Sequence, residues 1–131
     1  MDHVQIRYPT HVDHVSAALL RFCTLFLESA KENSQDGAAD NPNFNGVFHF
    51  SAREKMTKYE MTMTIAAAFG MDASHVEADT SAAKAAMTTT TTQAKRPQDA
   101  TLACERLEKL GITWSSNFRE EIKTVLTSFT S

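Results

Sequence analysis

The chain has 131 residues and a mass of 14.5 kDa, with 42% hydrophobic and 22% charged residues. This is the size and composition of one small globular domain or of part of a larger protein. Thirteen Lys and Arg residues against sixteen Asp and Glu residues give a net charge of −3. No basic stretch is long enough to neutralise a run of phosphates, which argues against a dedicated nucleic-acid-binding protein.

The cysteines and the N-terminal residues indicate a cellular compartment. Cys23 and Cys104 each lie in an apolar stretch, where a small buried thiol is the usual finding. Two such cysteines predict a reducing compartment and no disulfide scaffold. The first residues lack the basic and apolar regions of a signal peptide, and no apolar run could span a membrane. We therefore expect a soluble, cytoplasmic protein.

The first third of the chain is predicted to form a strand and a long helix. Apolar and polar residues alternate from Val4 to Tyr8, and Pro9 ends this short strand. Thr10 and Asp13 resemble a capping box that opens a helix continuing to about Ala30. Its predicted buried face repeats at spacings of three and four residues and comprises Val12, Val15, Leu19, Phe22, Cys23 and Phe26.

The middle third combines a loop, a strand and a capped helix. Residues 31–45 are polar and aperiodic, which predicts a mobile loop, and Gly46–Ser51 is a short β-rich run. Thr57 and Glu60 form a regular capping-box pattern, and Gly70 stands where a helix would end in a left-handed residue. The alternation of helices and strands favours an α/β arrangement.

The last third begins with a low-complexity segment. Residues 80–94 are rich in Ala and Thr without a hydrophobic period, which predicts a mobile insertion. Apolar residues then predict a short helix that ends at Gly111. Asn117 with Glu120 is predicted to cap a final helix with one apolar face.

No motif for catalysis is present in the chain. The four glycines, at positions 37, 46, 70 and 111, are too far apart to form a dinucleotide-binding or phosphate-binding loop. Neither tyrosine has a lysine four residues later, so the Tyr-x-x-x-Lys pair of short-chain dehydrogenases is absent, and no G-x-S-x-G motif occurs. The sequence therefore predicts no catalytic residue and no cofactor site.

The histidines match no metal-binding signature. His11 and His14 are one helical turn apart beside Asp13, but this spacing without further ligands is not typical of a metal site. We interpret them as surface residues at the start of a helix. His49 lies in the predicted strand and is expected to be partly buried.

Two arginines are the candidate ligand-binding residues. Arg7 and Arg96 each lie at the edge of a predicted ordered element beside a proline, Pro9 and Pro97 respectively. A guanidinium group suits phosphates and carboxylates because it can form two parallel hydrogen bonds. A surface salt bridge is the alternative interpretation.

Four segments, residues 7–15, 46–51, 56–61 and 96–111, fall in the order found in one known family. They resemble the C-terminal part of the extended short-chain dehydrogenases, the group that includes dTDP-4-dehydrorhamnose reductase. Within this group they are most similar to the regulatory beta subunits of methionine adenosyltransferases. The resemblance covers nearly the whole chain apart from residues 31–45 and 80–94.

The resemblance implies an α/β fold in which residues 1–131 form the C-terminal, substrate-binding lobe of an extended short-chain dehydrogenase. Three or four helices would pack against two to four short strands. The Rossmann half, which binds NADP in the family, is absent from the chain, so no cofactor is expected in it. Without that half the lobe would expose an apolar face, which predicts marginal stability or self-association.

The resemblance also implies a function and a partner. The chain is expected to be a non-catalytic regulator of S-adenosylmethionine synthesis that binds a methionine adenosyltransferase catalytic subunit. The alternative is the substrate-binding part of an NADP-dependent 4-keto-sugar reductase, incomplete in this chain. Arg7 and Arg96 occupy the places of two arginines that contact the diphosphate of the substrate in sugar-nucleotide members of the superfamily.

Overall fold

The computed structural model of the chain describes residues 1–32, 42–81 and 97–127. Four helices have both ends within these ranges: α1 (Val12–Glu32), α2 (Lys58–Phe69), α3 (Glu105–Lys109) and α4 (Phe118–Thr127). Helix α1 ends two residues later than its sequence pattern predicts. Most of the predicted loop 31–45 and of the predicted insertion 80–94 lies outside the described residues.

The predicted strands are largely replaced by single paired residues. Asp2 pairs with Asp79 and Ile6 with Asp99 in parallel bridges, and Arg7 pairs with Met56 in an antiparallel bridge. The prediction of a strand at 46–51 is wrong, since none of these residues joins a β-ladder. Two backbone carbonyl groups of this segment accept hydrogen bonds from side chains: Arg106 donates to Val47 O and Trp114 donates to Ser51 O. The described part of the chain is thus mainly helical with little strand.

The chain forms two compact units, each built from separate segments. Unit 1 consists of Met1–Pro9, Ala52–Thr101 and Asn117–Ser131. Unit 2 consists of Thr10–Ser51 and Leu102–Ser116. Helices α2 and α4 belong to unit 1, and helices α1 and α3 belong to unit 2.

The core of unit 1 lies around Met56, whose side chain is completely buried. Helix α2 packs against α4, and each helix contributes one buried residue, Ala66 and Ile122 respectively. The start of α4 is held by Glu54, whose carboxylate accepts the Phe118 N–H at 2.6 Å and the Arg119 Nε–H at 3.1 Å. A carboxylate at a helix N-terminus satisfies an otherwise unpaired amide and interacts favourably with the helix dipole.

The predicted ends of α2 are confirmed. Thr57 Oγ1 accepts the Glu60 N–H at 3.2 Å, and the Glu60 carboxylate accepts the Thr57 N–H at 2.7 Å. This bond from the Thr57 N–H, and after it the bond from the Thr57 hydroxyl, hold the pKa of Glu60 below its ordinary value of 4.5. Gly70 follows α2 with φ 64°, the left-handed conformation expected of it.

The cap of α4 differs in one residue from its prediction. Asn117 Oδ1 accepts the Arg119 N–H at 3.1 Å, as an N-cap residue should. The carboxylate that bonds back to the Asn117 N–H belongs to Glu121, at 3.3 Å, and not to the predicted Glu120. The predicted cap residue is therefore correct and its predicted partner is wrong by one position.

Unit 2 is built around aromatic rings. Phe22 of α1 lies 4.8 Å from Phe48 and 5.5 Å from Phe44, measured between ring centroids. The Arg106 guanidinium of α3 lies over the Phe48 ring at 4.1 Å from its centroid and donates a hydrogen bond to Val47 O at 2.8 Å. It also bonds to Asn45 O. Gly46 lies between Asn45 and Val47 in the chain. Its φ angle is 92°, a conformation that favours glycine.

Helix α1 begins one residue later than predicted. Its preceding residue is His11, and His11 Nδ1 accepts the Asp13 N–H at 3.0 Å, so His11 takes the place predicted for Thr10. Cys23 was predicted to be buried, but it is exposed. Apolar residues cover more of the circumference of α1 than the one face that packs inside unit 2. Some of them, including Cys23, therefore face outward.

One side of α1 is exposed and apolar, and we call it the α1 stripe. Its large side chains are Val12, Leu19, Leu20 and Leu27, which are 69%, 60%, 71% and 59% exposed. Ser16 and Cys23 are exposed on the same side. The predicted burial of Val12 and Leu19 is therefore wrong. Their exposure does match the expectation that this chain presents an apolar surface.

We expect Thr57→Ala to lower the free energy of unfolding by about 1–2 kcal/mol, because it removes the N-cap acceptor of α2. Thr57→Ser should keep most of the stability. Thr62→Ala is the matched control, since the exposed Thr62 hydroxyl bonds only to Lys58 O within the same helix. Urea unfolding of the four proteins measures these differences. An equal loss in Thr57→Ala and Thr62→Ala would contradict the assigned role of the cap.

Candidate functional site

Arg7, the first candidate ligand-binding residue, lies half-buried in unit 1. Its backbone N–H and C=O both pair with Met56, each at 2.8 Å. Its guanidinium folds back along its own segment, where Nη1 donates to Ile6 O at 3.0 Å and Nη2 donates to Gln5 Oε1. The guanidinium has further N–H groups outside these two bonds, and they could donate hydrogen bonds to the oxygen atoms of a ligand.

The charge of Arg7 also acts on the N-terminal turn. The Asp2 carboxylate accepts the backbone N–H groups of Val4 at 3.0 Å and Gln5 at 3.2 Å. The pKa of Asp2 is lowered, most strongly by the bond from Val4, then by the bond from Gln5 and by the positive charge of Arg7. Arg7 therefore belongs to a local network that orders residues 2–7.

Arg96, the second candidate, lies outside the described residues. The segment that follows it is described, and it runs beside the segment that carries Arg7. The Ile6 N–H donates to Gln98 O at 2.7 Å, and Ile6 forms a parallel bridge with Asp99. Two segments that are about 90 residues apart in the sequence thus meet in unit 1, as a shared ligand site at Arg7 and Arg96 would require.

A polar cluster that the sequence analysis missed lies at the same place. The Tyr8 hydroxyl lies 3.4 Å from Asp99 Oδ2 and also bonds to the Thr101 hydroxyl. Asp99 Oδ1 accepts the Thr101 hydroxyl at 2.7 Å and the Thr101 N–H at 2.8 Å. These Thr101 bonds, the side-chain bond first, lower the pKa of Asp99, so its carboxylate is ionised at neutral pH. We call Tyr8, Asp99 and Thr101 the Tyr8 cluster.

The arrangement of Arg7 and the Tyr8 cluster limits their chemistry. Successive side chains of an extended segment point to opposite sides, and Arg7 bonds to Gln5 whereas Tyr8 bonds to Asp99. Two hydroxyls and an ionised carboxylate can donate to and accept from the hydroxyl groups of a ligand. The Tyr8 cluster therefore offers polar recognition, and the Arg7 guanidinium offers positive charge on the neighbouring residue.

Two histidines, His3 and His11, take structural roles in the described residues. His3 Nδ1 lies 2.8 Å from Thr57 Oγ1, and its ring meets the Tyr59 ring edge-on with centroids 4.9 Å apart. His11 bonds to the start of α1, and its ring lies 5.2 Å from that of His14. His49 is exposed, so the prediction of partial burial is wrong. Within the described ranges no three His, Cys, Asp or Glu side chains come together as a metal site would require.

Unit 2 contains an apolar pocket of about 160 Å³ that opens to the surface beside the α1 stripe. Its lining is almost entirely aliphatic and aromatic, and Leu19 belongs both to the lining and to the stripe. The lining residues are Val15, Ala18, Leu19, Phe22, Phe48, Phe50 and Leu107. Such a lining suits an apolar group and offers nothing that would bind a phosphate or a sugar hydroxyl.

Over the part of the chain that the structure describes, no helix has the combined length and hydrophobicity needed to cross a bilayer.

Residues 1–131, the whole chain, match the family model of the RmlD substrate binding domain. The chain therefore belongs to the RmlD substrate-binding domain family. This family agrees with the resemblance inferred from the four sequence segments.

Curated relatives give a more specific likeness. The chain is 38% identical to methionine adenosyltransferase 2 subunit beta of Danio rerio and 39% identical to that of Bos taurus. The corresponding protein of Mus musculus is 37% identical. Each match covers 98% of this chain but only 33–35% of the relative, so the chain spans about one third of the length of these proteins.

Proposed function

We propose that the chain acts as a non-catalytic regulator of S-adenosylmethionine synthesis by binding a methionine adenosyltransferase catalytic subunit. The observation that carries this proposal is the identity of 34–39%, over 98% of the chain, to proteins named methionine adenosyltransferase 2 subunit beta. The aligned residues include both compact units, so the similarity to these relatives is not confined to one unit.

The non-catalytic part of the proposal concerns this chain, whose sequence contains none of the catalytic motifs sought in it. NADP, the cofactor that the family implies, requires closely spaced glycines at the start of a helix. The glycines of this chain are isolated, and Gly46 and Gly70 have structural roles in a tight turn and at the end of α2. These residues do not fit NADP, and we propose that any NADP in the complete protein is held by a separate Rossmann half.

Two finer features of the fold and location belong to the same proposal. The bridges that residues 1–9 make with three other segments support an α/β lobe in which these segments form a small sheet. The free thiols of Cys23 and Cys104 fit a reducing compartment, and we place the protein in the cytoplasm.

We also propose that Arg7 and Arg96 bind a diphosphate ligand in the complete protein. The segment that follows Arg96 pairs with the segment that carries Arg7, which supports a shared site. A nucleoside-diphosphate sugar carries such a diphosphate.

The regulatory proposal predicts direct binding of the chain to the catalytic subunit. With the purified chain immobilised, a methionine adenosyltransferase catalytic subunit should bind saturably, and adding the chain in solution should change the rate of S-adenosylmethionine formation. The control is an RmlD substrate-binding domain taken from a dTDP-4-dehydrorhamnose reductase, which should do neither. A folded chain, verified by circular dichroism, that neither binds nor changes the rate would contradict the proposal.

The ligand proposal predicts that Arg96→Ala weakens the binding of a nucleoside-diphosphate sugar about tenfold or more in a protein that includes the Rossmann half. A charge-assisted pair of hydrogen bonds is worth about 1.5–3 kcal/mol. Arg96→Lys should recover part of the affinity, because an ammonium cannot form the bidentate pair. Calorimetric titration measures the affinity, and a thermal melt of each variant measures its stability.

Arg7→Ala is the matched variant for this experiment. Because its guanidinium already bonds to Gln5 and to Ile6 O, its removal should lower the melting temperature more than Arg96→Ala does. Unchanged affinity in Arg96→Ala, with a small shift in melting temperature, would instead indicate a salt bridge to a neighbouring carboxylate. Arg96 would then be withdrawn as a ligand-binding residue.

A further inference from the structure

Gln5 holds the side chain of Arg7 from within the same extended segment. Residues two positions apart in such a segment point to the same side, and Arg7 Nη2 donates to Gln5 Oε1. The backbone that carries both side chains is also fixed. Arg7 exchanges two bonds of 2.8 Å with Met56, and the Ile6 N–H donates to Gln98 O at 2.7 Å. The Arg7 guanidinium is therefore held on a backbone that is itself paired with two other segments.

The groups that hold the Arg7 guanidinium are uncharged. They are the side-chain amide oxygen of Gln5 and the backbone carbonyl oxygen of Ile6. Among the residues that the structure describes, no carboxylate forms an ion pair with Arg7. Asp2, the acidic residue of this segment, instead accepts the backbone N–H groups of Val4 and Gln5 at 3.0 and 3.2 Å. Arg7 thus has a fixed position without a neutralising partner.

The guanidinium also keeps donors for a ligand. It has five N–H groups in one plane, and the bonds to Gln5 and Ile6 each use one of them. One N–H remains on each Nη atom, together with the Nε–H. Two N–H groups of a guanidinium can bond in parallel to two oxygen atoms of one phosphate group.

We propose that Gln5 is a positioning residue for Arg7 and that it sets the charge which Arg7 offers to an anion. The inference rests on the proposed function, in which Arg7 binds a diphosphate. Gln5 reduces the conformational freedom that the long Arg7 side chain would otherwise lose on binding. Because Gln5 is a neutral amide, it does so without cancelling the positive charge. The site is thereby selective for ligands that carry negative charge.

The test measures the affinity for dTDP-glucose, a nucleoside-diphosphate sugar, by calorimetric titration of a protein that includes the Rossmann half. Gln5→Ala should weaken binding about threefold, since Arg7 would then be ordered only by the ligand. Gln5→Met keeps the length of the side chain without the acceptor, and it should resemble Gln5→Ala. Gln5→Glu should weaken binding about tenfold, because its carboxylate would pair with Arg7 and oppose the charge of the diphosphate.

The melting temperatures should follow a different order from the affinities. Gln5→Glu keeps an acceptor for Arg7, so it should melt no lower than Gln5→Ala although it binds the ligand more weakly. Ala67→Glu is the matched control, because it adds the same charge at an exposed position of α2 in the same unit. It should leave the affinity unchanged. Affinities that fall in the same order as the melting temperatures would overturn the inference, since Gln5 would then have only a structural role.

Arg7→Ala separates this inference from the proposed function. If Arg7→Ala leaves the affinity for dTDP-glucose unchanged, Arg7 does not bind the ligand, and both the ligand site at Arg7 and the role of Gln5 are wrong. If Arg7→Ala weakens binding but the Gln5 variants do not, the ligand site stands and the role of Gln5 alone is wrong. In the Arg7→Ala background Gln5→Glu should have no further effect, because it acts through the guanidinium. The full tenfold loss in that background would also overturn the inference.

Discussion

Unit 1 depends on backbone pairing between residues 1–9 and three separate segments of the chain. The His3 N–H donates to Asp79 O at 3.0 Å, and the Ile6 N–H donates to Gln98 O at 2.7 Å. Arg7 and Met56 exchange two bonds of 2.8 Å each. Because Met56 is completely buried and the capping box of α2 starts at the next residue, this pairing also fixes where α2 begins. It likewise brings the segment that follows Arg96 beside Arg7.

Side chains secure the elements that this pairing positions. His3 reaches the N-cap of α2 through Thr57, and Glu54 accepts two hydrogen bonds at the start of α4. A hydrogen bond to a charged group, such as the Glu54 carboxylate, contributes more to stability than a bond between neutral groups. In unit 2, Arg106 has the corresponding role, since it bonds to the turn around Gly46 and covers the ring of Phe48. Each unit is thus organised by a small number of polar contacts around a small apolar core.

The features that the sequence predicted correctly are local ones. The capping box and Gly70 of α2 depend on residues within one or two turns, so the pattern alone was sufficient. The strand at 46–51 was wrong because two side chains about 60 residues away, those of Arg106 and Trp114, bond to Val47 O and Ser51 O, which a ladder would use. The predicted burial of Cys23 was wrong because the periodicity of the sequence does not show which apolar side of α1 packs inward. Arg7 was predicted as a ligand-binding residue from its position beside Pro9, and this stays a prediction. The Tyr8 cluster joins residues more than 90 positions apart and has no local signal.

The central claim, that residues 1–9 organise unit 1, can be tested by native-state hydrogen exchange of individual amides. The amides of Ile6, Arg7 and Met56 should exchange only through global unfolding, with a free energy equal to that obtained from urea denaturation. The amides of Val4 and Gln5, which bond only to the Asp2 side chain near the surface, should exchange through smaller local openings. Exchange of Arg7 and Met56 at the rate of Val4 and Gln5 would contradict the claim, because their pairing would then open without unfolding the unit.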